Sequence, residues 1–266
     1  GMKAIFLSDA HLKREKDENY QRLLHLFEAL NADSEKPLES RSESVEPETV
    51  QRVNPRIDHL FILGDFFDFW FSRGSVIYPE YRVMVRELAA LGQRGVTVHF
   101  LEGNHDFFLA DYFTERLGFE VLTDWGEWHD GQRRILFSHG DTVDLQNRKY
   151  LFLRRVLRSR AVYRLQKVLP LRMLWAAARI SSEASQGRSR EQAERLAEKM
   201  HAFASHKIGE GFNAVVLGHC HYPRLREWSA SQGKVATVTL GDWIKDFSYL
   251  YYAEGRFQLL TEPSRT

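Results

Sequence analysis

Short apolar runs recur along the chain, and most of them stop on Gly, Asp, Asn or His. Residues 3–7, 57–63, 96–101 and 214–217 have the length and the β-branched or aromatic content of buried strands. Between them the period changes. Leu23, Leu26, Phe27 and Leu30 repeat at helical intervals, which predicts a helix over 19–30. A second helix is predicted over 79–91, closed by Gly92 and Gly95, and a short third over 111–117. Residues 120–129 and 133–137 read as antiparallel strands joined at Asp130 and Gly131, while 235–240 and 249–253 complete a second set of strands, with 257–260 as a hairpin partner. Strands alternating with helices predict an α/β protein.

Two segments interrupt this rhythm. Residues 31–56 carry Ser34, Ser40, Ser42 and Ser44, Pro37, Pro47 and Pro55, and six acidic residues, which predicts a mobile surface loop with no core of its own. Residues 142–212 are helical by pattern and basic: from 142 to 190 there are 12 Lys or Arg against two acidic residues, a local charge of +10. The 266 residues together carry +1, so overall charge selects no class of partner. The length suits a single α/β domain spanning 1–266. Cys220 is the sole cysteine, which rules out an internal disulfide framework and fits a reducing compartment. No run approaches the roughly 20 apolar residues of a membrane span. The expectation is a cytoplasmic protein, at most peripheral on the inner membrane.

Chemistry concentrates in five blocks: Asp9-Ala10-His11, Gly64-Asp65-Phe66-Phe67-Asp68, Gly103-Asn104-His105-Asp106, Ser138-His139-Gly140-Asp141 and Gly218-His219-Cys220-His221. Most follow a predicted strand, and ligands gather at the carboxyl ends of strands in open α/β sheets. Each block alone is a weak signal; the ordered set is strong. Carboxylates and imidazoles are ligands for Mn²⁺, Fe, Zn²⁺ and Mg²⁺, and a carboxylate bridges two ions through its two oxygens. Asp65 is the natural bridge. Asp9, His11 and one late histidine complete one ion; Asn104, His139 and the other late histidine complete the second. Two such ions are a known means of hydrolysing phosphate esters with a metal-activated water. Asp106 and Asp141 fit turn or supporting roles, Cys220 fits a packing role, and Asp242 either closes the site or caps a turn.

The ordered blocks resemble those of the calcineurin-like metallophosphoesterase superfamily, from residue 3 to about 252 outside the two insertions. The resemblance implies a four-layer αββα sandwich. It also implies that Asp9, His11, Asp65 and His221 hold one metal and Asp65, Asn104, His139 and His219 the other. His105 is then the unliganded histidine that stabilises the phosphate or protonates the leaving oxygen, with Asp68 orienting it.

Within that superfamily, Gly64 to Phe71, Asn104 to Phe108 and the basic helical insertion after His139-Gly140-Asp141 resemble the UDP-2,3-diacylglucosamine hydrolases of lipid A synthesis. That resemblance implies cleavage of the pyrophosphate of a diacylated UDP-sugar beneath a helical lid. Those hydrolases carry Arg where this chain has His105. A phosphodiesterase or phosphatase acting on another phosphorylated lipid, nucleotide or nucleic acid is the alternative. Nucleic acid ranks below the lipid, because the basic insertion interleaves long aliphatic residues rather than spaced aromatics.

In the insertion, aliphatic residues such as Leu151, Leu153, Leu157, Leu165 and Leu169 alternate with Arg154, Arg155, Arg158, Arg160 and Arg164. Such a composition suits a lid that contacts lipid, with Arg154, Arg155 and Arg158 as substrate contacts. It also suits a helical hairpin that packs its apolar side on the domain.

Overall fold

Two β-sheets lie face to face, and alternation of side chains along their strands sets up three apolar layers. The computed structural model describes residues 1–32, 36–42, 50–183 and 187–262. Its strands are β1 (Lys3–Leu7), β2 (Leu38–Ser42), β3 (Val50–Val53), β4 (His59–Leu63), β5 (Thr97–Leu101), β6 (Glu120–Leu122) and β7 (Trp125–Asp130). They continue with β8 (Arg133–Ser138), β9 (Ala214–Leu217), β10 (Arg224–Ala230), β11 (Gly233–Thr239), β12 (Ser248–Ala253) and β13 (Arg256–Thr261). The helices are α1 (Glu18–Asn31), α2 (Arg82–Gln93), α3 (Ala110–Leu117), α4 (Arg148–Leu157), α5 (Arg160–Val168), α6 (Leu171–Glu183) and α7 (Arg190–Gly209).

One sheet runs β3-β2-β13-β12-β1-β4-β5-β6 and the other β10-β11-β9-β8-β7. In β1, Ala4 and Phe6 point into the layer between the sheets, where Phe6 stacks on Phe61 with ring centroids 4.3 Å apart. Ile5 and Leu7 point the other way, onto α1, α2 and α3. In the second sheet, Val216 and Val238 face inward while Val215 and Val235 pack on Ala197, Met200 and Ala204 of α7. Helices on both outer faces keep the central strands apolar on both sides, which is why they read as continuous runs. The result is the four-layer αββα sandwich.

Several expectations change on contact with the structure. Within 31–56, β2 and β3 form a hairpin that extends the first sheet beyond β13, where Ser40 hydrogen-bonds Tyr249. Residues 33–35 and 43–49 lie outside the described residues. Residues 235–240 and 249–253 do not form one set: β11 joins the second sheet, while β12 pairs antiparallel with β1 in the first. Strand β10, exposed along most of its length, has no core pattern to announce it.

The 142–212 segment divides in two. Among the described residues, α4, α5 and α6 bury no apolar side chain completely. By contrast α7, opened by a Ser189/Gln192 capping box, is the outer layer of the second sheet.

On α7, His201 is held between Thr237 and Thr239 of β11. The Thr239 hydroxyl donates to the Tyr222 carbonyl, so His201 Nε2–H donates to Thr239 (3.0 Å) and Nδ1 accepts from Thr237 (2.8 Å). Burial, with the Arg226 and Arg224 charges, pushes this imidazole down to about 4 from an ordinary 6.5. A depressed histidine contributes stability that is present above 6.5 and lost as pH falls through 4. The loss is expected to be about 3 kcal/mol at most. Urea denaturation at pH 7 and pH 4 checks it, because His201→Gln removes that part of the pH dependence.

Candidate metal centre

The five polar blocks sit on the loops that leave β1, β4, β5, β8 and β9. Neighbours among these strands run parallel, β1-β4-β5 in one sheet and β8-β9 in the other, so their carboxyl ends meet at one edge of the sandwich. The chain turns sharply there. Asp9, His11, Asp65, His219 and His221 have φ of 57°, 43°, 51°, 71° and 55°, a region costing roughly 1–3 kcal/mol for non-glycine residues. Such strain persists only where surrounding contacts impose it, and here it turns five metal-ligand types inward.

Asp106 supplies one of those contacts. Its two carboxylate oxygens accept from the backbone N–H groups of Gly103, Asp65, Phe66 and Phe67 at 2.8–3.1 Å, which locks the Asp65 turn. Burial and the Asp65 charge push its carboxyl up to about 8, while those donors favour the anion. Gly103 passes so close that a Cβ there would lie 2.2 Å from Asp65 Oδ1.

Three groups of ligand atoms result. Asp9, His11 and His221 form one, Asp65, His139 and His219 a second, and His11, Asp68 and His105 a third, each with donor atoms within 4.8 Å of one another. Asp65 Oδ2 lies between the first two, 3.7 Å from His11 Nε2 and 3.3 Å from His139 Nε2. Asn104 Oδ1 is 2.9 Å from His139 Nε2. Three histidines are oriented from behind: His139 Nδ1–H donates to the Leu63 carbonyl (2.7 Å), His221 Nδ1 meets Asp242 Oδ2 (3.0 Å), and His11 Nδ1 lies 3.8 Å from Asp68 Oδ1. That leaves each Nε2 for the centre, the usual way a ligand histidine is aimed.

Two buried atoms at the heart of the site, Asp9 Oδ1 and His11 Nε2, have no hydrogen-bond partner among the described residues. They are 3.8 Å apart. Burying a bare carboxylate oxygen beside a bare imidazole nitrogen is costly unless a cation satisfies both. The donor set therefore fits divalent metal ions.

Without metal, protons do that work. Burial opposes the charged forms, but His221 and His139 outweigh it and hold Asp9 below the usual carboxylate range. Against the same burial, Asp65 pushes His139 up to about 10, and Asp9 and Asp242 push His221 up to about 10. Burial and the neighbouring His139 and Arg188 charges push His219 down to about 3. Metal must displace roughly two imidazolium protons near neutral pH, so the overall affinity for two ions is expected to rise about 100-fold per pH unit. Calorimetric titration in buffers of different ionisation enthalpy counts those protons.

The remaining candidates are placed as follows. His105 stands with its ring centroid 5.0 Å from that of His11, its backbone N–H donating to Asp65 Oδ1 (2.9 Å). Asp68, read as the partner of His105, has a carboxylate oxygen within 4.8 Å of a His105 ring nitrogen and also contacts His11 and the Ser182 hydroxyl. Burial raises its pKa, but His11, Ser182 and Lys13 outweigh that and hold the carboxyl low. Arg154 is committed to Asp141 and Asp124 (both 2.7 Å), and Arg158 to the Thr123 and Gly103 carbonyls. Arg155 is exposed and lines a cavity of about 590 Å³ with Phe108 and Tyr163. Cys220 is buried in the α7 layer, a packing position.

Four contributors went unnoticed or undecided in the sequence. Asp242 both orients His221 and caps a turn, accepting from the N–H groups of Ile244, Lys245 and Asp246. Ser8 donates to Asp9 Oδ2 (2.6 Å). Ser182 reaches Asp68, and Arg188 donates to the His219 carbonyl and Nε2 (both 2.9 Å). Ser8 adjoins the first block; Ser182 and Arg188 belong to no motif.

Residues 2–223 match the calcineurin-like phosphoesterase family. A UDP-2,3-diacylglucosamine hydrolase from Haemophilus influenzae is 29% identical over 203 residues, covering 75% of this chain and 82% of its own. One from Aeromonas salmonicida is 27% identical over 99% of this chain and 95% of its own. Among solved structures, Vps29 of Chaetomium thermophilum aligns over 99% of this chain and 100% of its own, at 11% identity and a TM-score of 0.41. With most of its length matched and carboxylates and imidazoles converging at the strand ends, the chain belongs to the calcineurin-like phosphoesterase family, whose enzymes hydrolyse phosphoesters with divalent metal ions.

Proposed function

We propose that this chain hydrolyses the pyrophosphate of UDP-2,3-diacylglucosamine, or of a closely related lipid-linked nucleotide, releasing UMP and the acylated sugar phosphate. The observation that carries the reading is an apolar and basic helical cover beside a two-part metal centre. Phe152, Val168 and Ile180 on α4, α5 and α6 are 67%, 76% and 71% exposed. Besides Trp175 and Ala178 on the core, these helices are held by polar contacts: Arg73 to the Gln166 and Leu169 carbonyls, Trp175 to the Phe71 carbonyl, and Lys167 to Asp111. An apolar surface left open in this way marks a lipid or partner contact. The relatives named for the diacylated UDP-sugar support the same substrate.

Asp9, His11, Asp65 and His221 would hold one divalent ion, and Asp65, Asn104, His139 and His219 the other, with Mn²⁺ as the reading for both. When bound, the pair supplies Lewis-acid activation of water and neutralises charge on the phosphoryl oxygens. Asp65 sets the spacing between the subsites, and Asp68 and Asp242 hold His11 and His221 in register. His105, outside both ligand sets, hydrogen-bonds the phosphate and gives a proton to the departing oxygen as the P–O bond breaks. Arg155 meets charge on the substrate, while Arg154 and Arg158 shape the cavity through their protein partners.

Among the described residues no helix is long and apolar enough to cross a membrane. Exposed aliphatic side chains among arginines suit peripheral contact with an anionic cytoplasmic lipid surface. The test is UMP release by Mn²⁺-loaded protein from UDP-2,3-diacylglucosamine beside unacylated UDP-N-acetylglucosamine. Cleavage of the acylated compound alone supports the reading. Hydrolysis of a simple aryl phosphodiester with neither sugar nucleotide cleaved moves the substrate to another phosphorylated lipid or nucleotide.

A further inference from the structure

Several polar anchors of the helical cover gather on one short stretch of chain. Residues 68–73, which continue directly from the Asp65 turn, hold α5 and α6 at three points. Asp68 accepts from the Ser182 hydroxyl, and the Phe71 carbonyl accepts from the Trp175 indole N–H (3.1 Å). The Arg73 guanidinium donates to the Gln166 and Leu169 carbonyls (2.9 and 2.8 Å). On α6, Trp175, Ala178 and Ser182 are spaced i, i+3 and i+7, so they share one face. Trp175 and Ala178 pack that face on the core. Ser182 is its polar end, one residue before the helix stops, and it lines a cavity of about 390 Å³ together with His11, His105 and His221.

Asp68 is buried and faces two ways. Its Oδ1 lies 3.8 Å from His11 Nδ1, while its Oδ2 accepts from Ser182. Its backbone is fixed to the loop that carries His11: the Asp68 N–H donates to the Leu12 carbonyl (3.1 Å) and the His11 N–H to the Asp65 carbonyl (2.9 Å). What is left to turn is the carboxylate itself. Contact at both oxygens fixes its rotation, and with it the aim of the imidazole in front of it. Removing a group that orients a ligand histidine directly costs about 10–100-fold in metal affinity. Ser182 stands one group further out, so its effect is smaller.

We propose that Ser182 is a positioning residue: by holding Asp68 it aims the His11 imidazole, and so couples the docking of α6 to the metal ion of the Asp9, His11 and His221 subsite. Coupling of this kind is reciprocal. An ion on His11 Nε2 favours the ring orientation that Asp68 supports, which favours the docked helix; the docked helix in turn tightens the ion. The coupling involves the metal centre and the cover alone, and it holds for any phosphoester substrate.

The test is calorimetric titration of Mn²⁺ into the full-length protein, beside amide hydrogen exchange of α6 with and without Mn²⁺. Turnover is not the readout, because Asp68 also lies within 4.8 Å of a His105 ring nitrogen and the two effects would mix. Ser182→Ala is expected to weaken one of the two ions about fivefold, the low end of coupling between sites, and Ser182→Thr, which keeps the hydroxyl, to restore it. In the unmodified protein Mn²⁺ slows exchange along α6; in Ser182→Ala it does not. Trp175→Phe removes the anchor on the Phe71 carbonyl without touching Asp68, and it leaves Mn²⁺ affinity as it was. Unchanged affinity in Ser182→Ala, no rescue by Thr, or an equal loss in Trp175→Phe overturns the coupling. A protein that binds no Mn²⁺ loses the metal centre itself, whereas one that binds two ions with α6 exchange unmoved loses only the role of Ser182.

Discussion

Replacing Asp65 by Ala is expected to empty at least one metal subsite and to lower turnover by roughly 10⁴-fold or more, the scale on which removing one member of a catalytic unit acts. The reason is position. Its Oδ2 lies within 4 Å of one histidine from each of the Asp9 and Asp65 groups, and its Oδ1 accepts from the His105 backbone N–H. Asp65→Asn keeps the shape and the Gly103 contact but removes the charge that balances His139 and His11. It should therefore fail almost as badly, with the fold intact by circular dichroism. Metal content by atomic emission, measured beside hydrolysis, separates loss of ions from loss of chemistry. Full activity with a full complement of metal in either variant would sink the two-ion centre.

His105→Ala is expected to do the reverse: keep both metals and slow turnover by roughly 10²–10⁴, as removal of a general acid does. The ring stands outside the two groups built on Asp9 and Asp65, in a third with His11 and Asp68. If metal occupancy falls with turnover, the residue is a ligand and its assigned role is wrong. His105→Arg divides the two parts of that role. A guanidinium still neutralises phosphoryl charge, but it cannot surrender a proton near neutral pH. Recovery in His105→Arg thus measures charge stabilisation, and the remaining deficit measures proton donation. The same variant, assayed on UDP-2,3-diacylglucosamine, also shows whether His105 costs this chain activity on that substrate.

Much of the centre was legible because its parts are local. A buried parallel strand must be apolar on both faces, and the turn at its end must be polar and tight, so each block marks itself within a few residues. Asp9, His11, Asp65, Asn104, His139, His219 and His221 all came from such blocks. Asp242 was visible but ambiguous, since capping a turn and holding His221 need the same carboxylate. Ser182 and Arg188 were not legible at all. Each is an ordinary polar residue near a helix end, brought to Asp68 and His219 by the path of a helical excursion rather than by sequence spacing.

The fold divides in the same way. Apolar runs with turn residues at their ends determined that the chain is α/β, where its central strands lie, and which side chains stand at their carboxyl ends. Local sterics and the two-residue period of a strand suffice for that. Sheet membership was settled only in three dimensions. β11 and β12 look alike as sequence, yet one pairs with β9 and the other with β1, because pairing depends on partners far along the chain. Strand β2 and the edge strands β3 and β10 bury too little to leave a pattern, and their neighbours impose their conformation. Likewise, α7 and the helices before it share one stretch of helical sequence, but α7 has a sheet to cover, whereas α4, α5 and α6 bury no apolar side chain completely and α6 touches the core only through Trp175 and Ala178 among the described residues. Hydrophobic pattern measures how much surface a segment must bury; the tertiary structure alone decides against what.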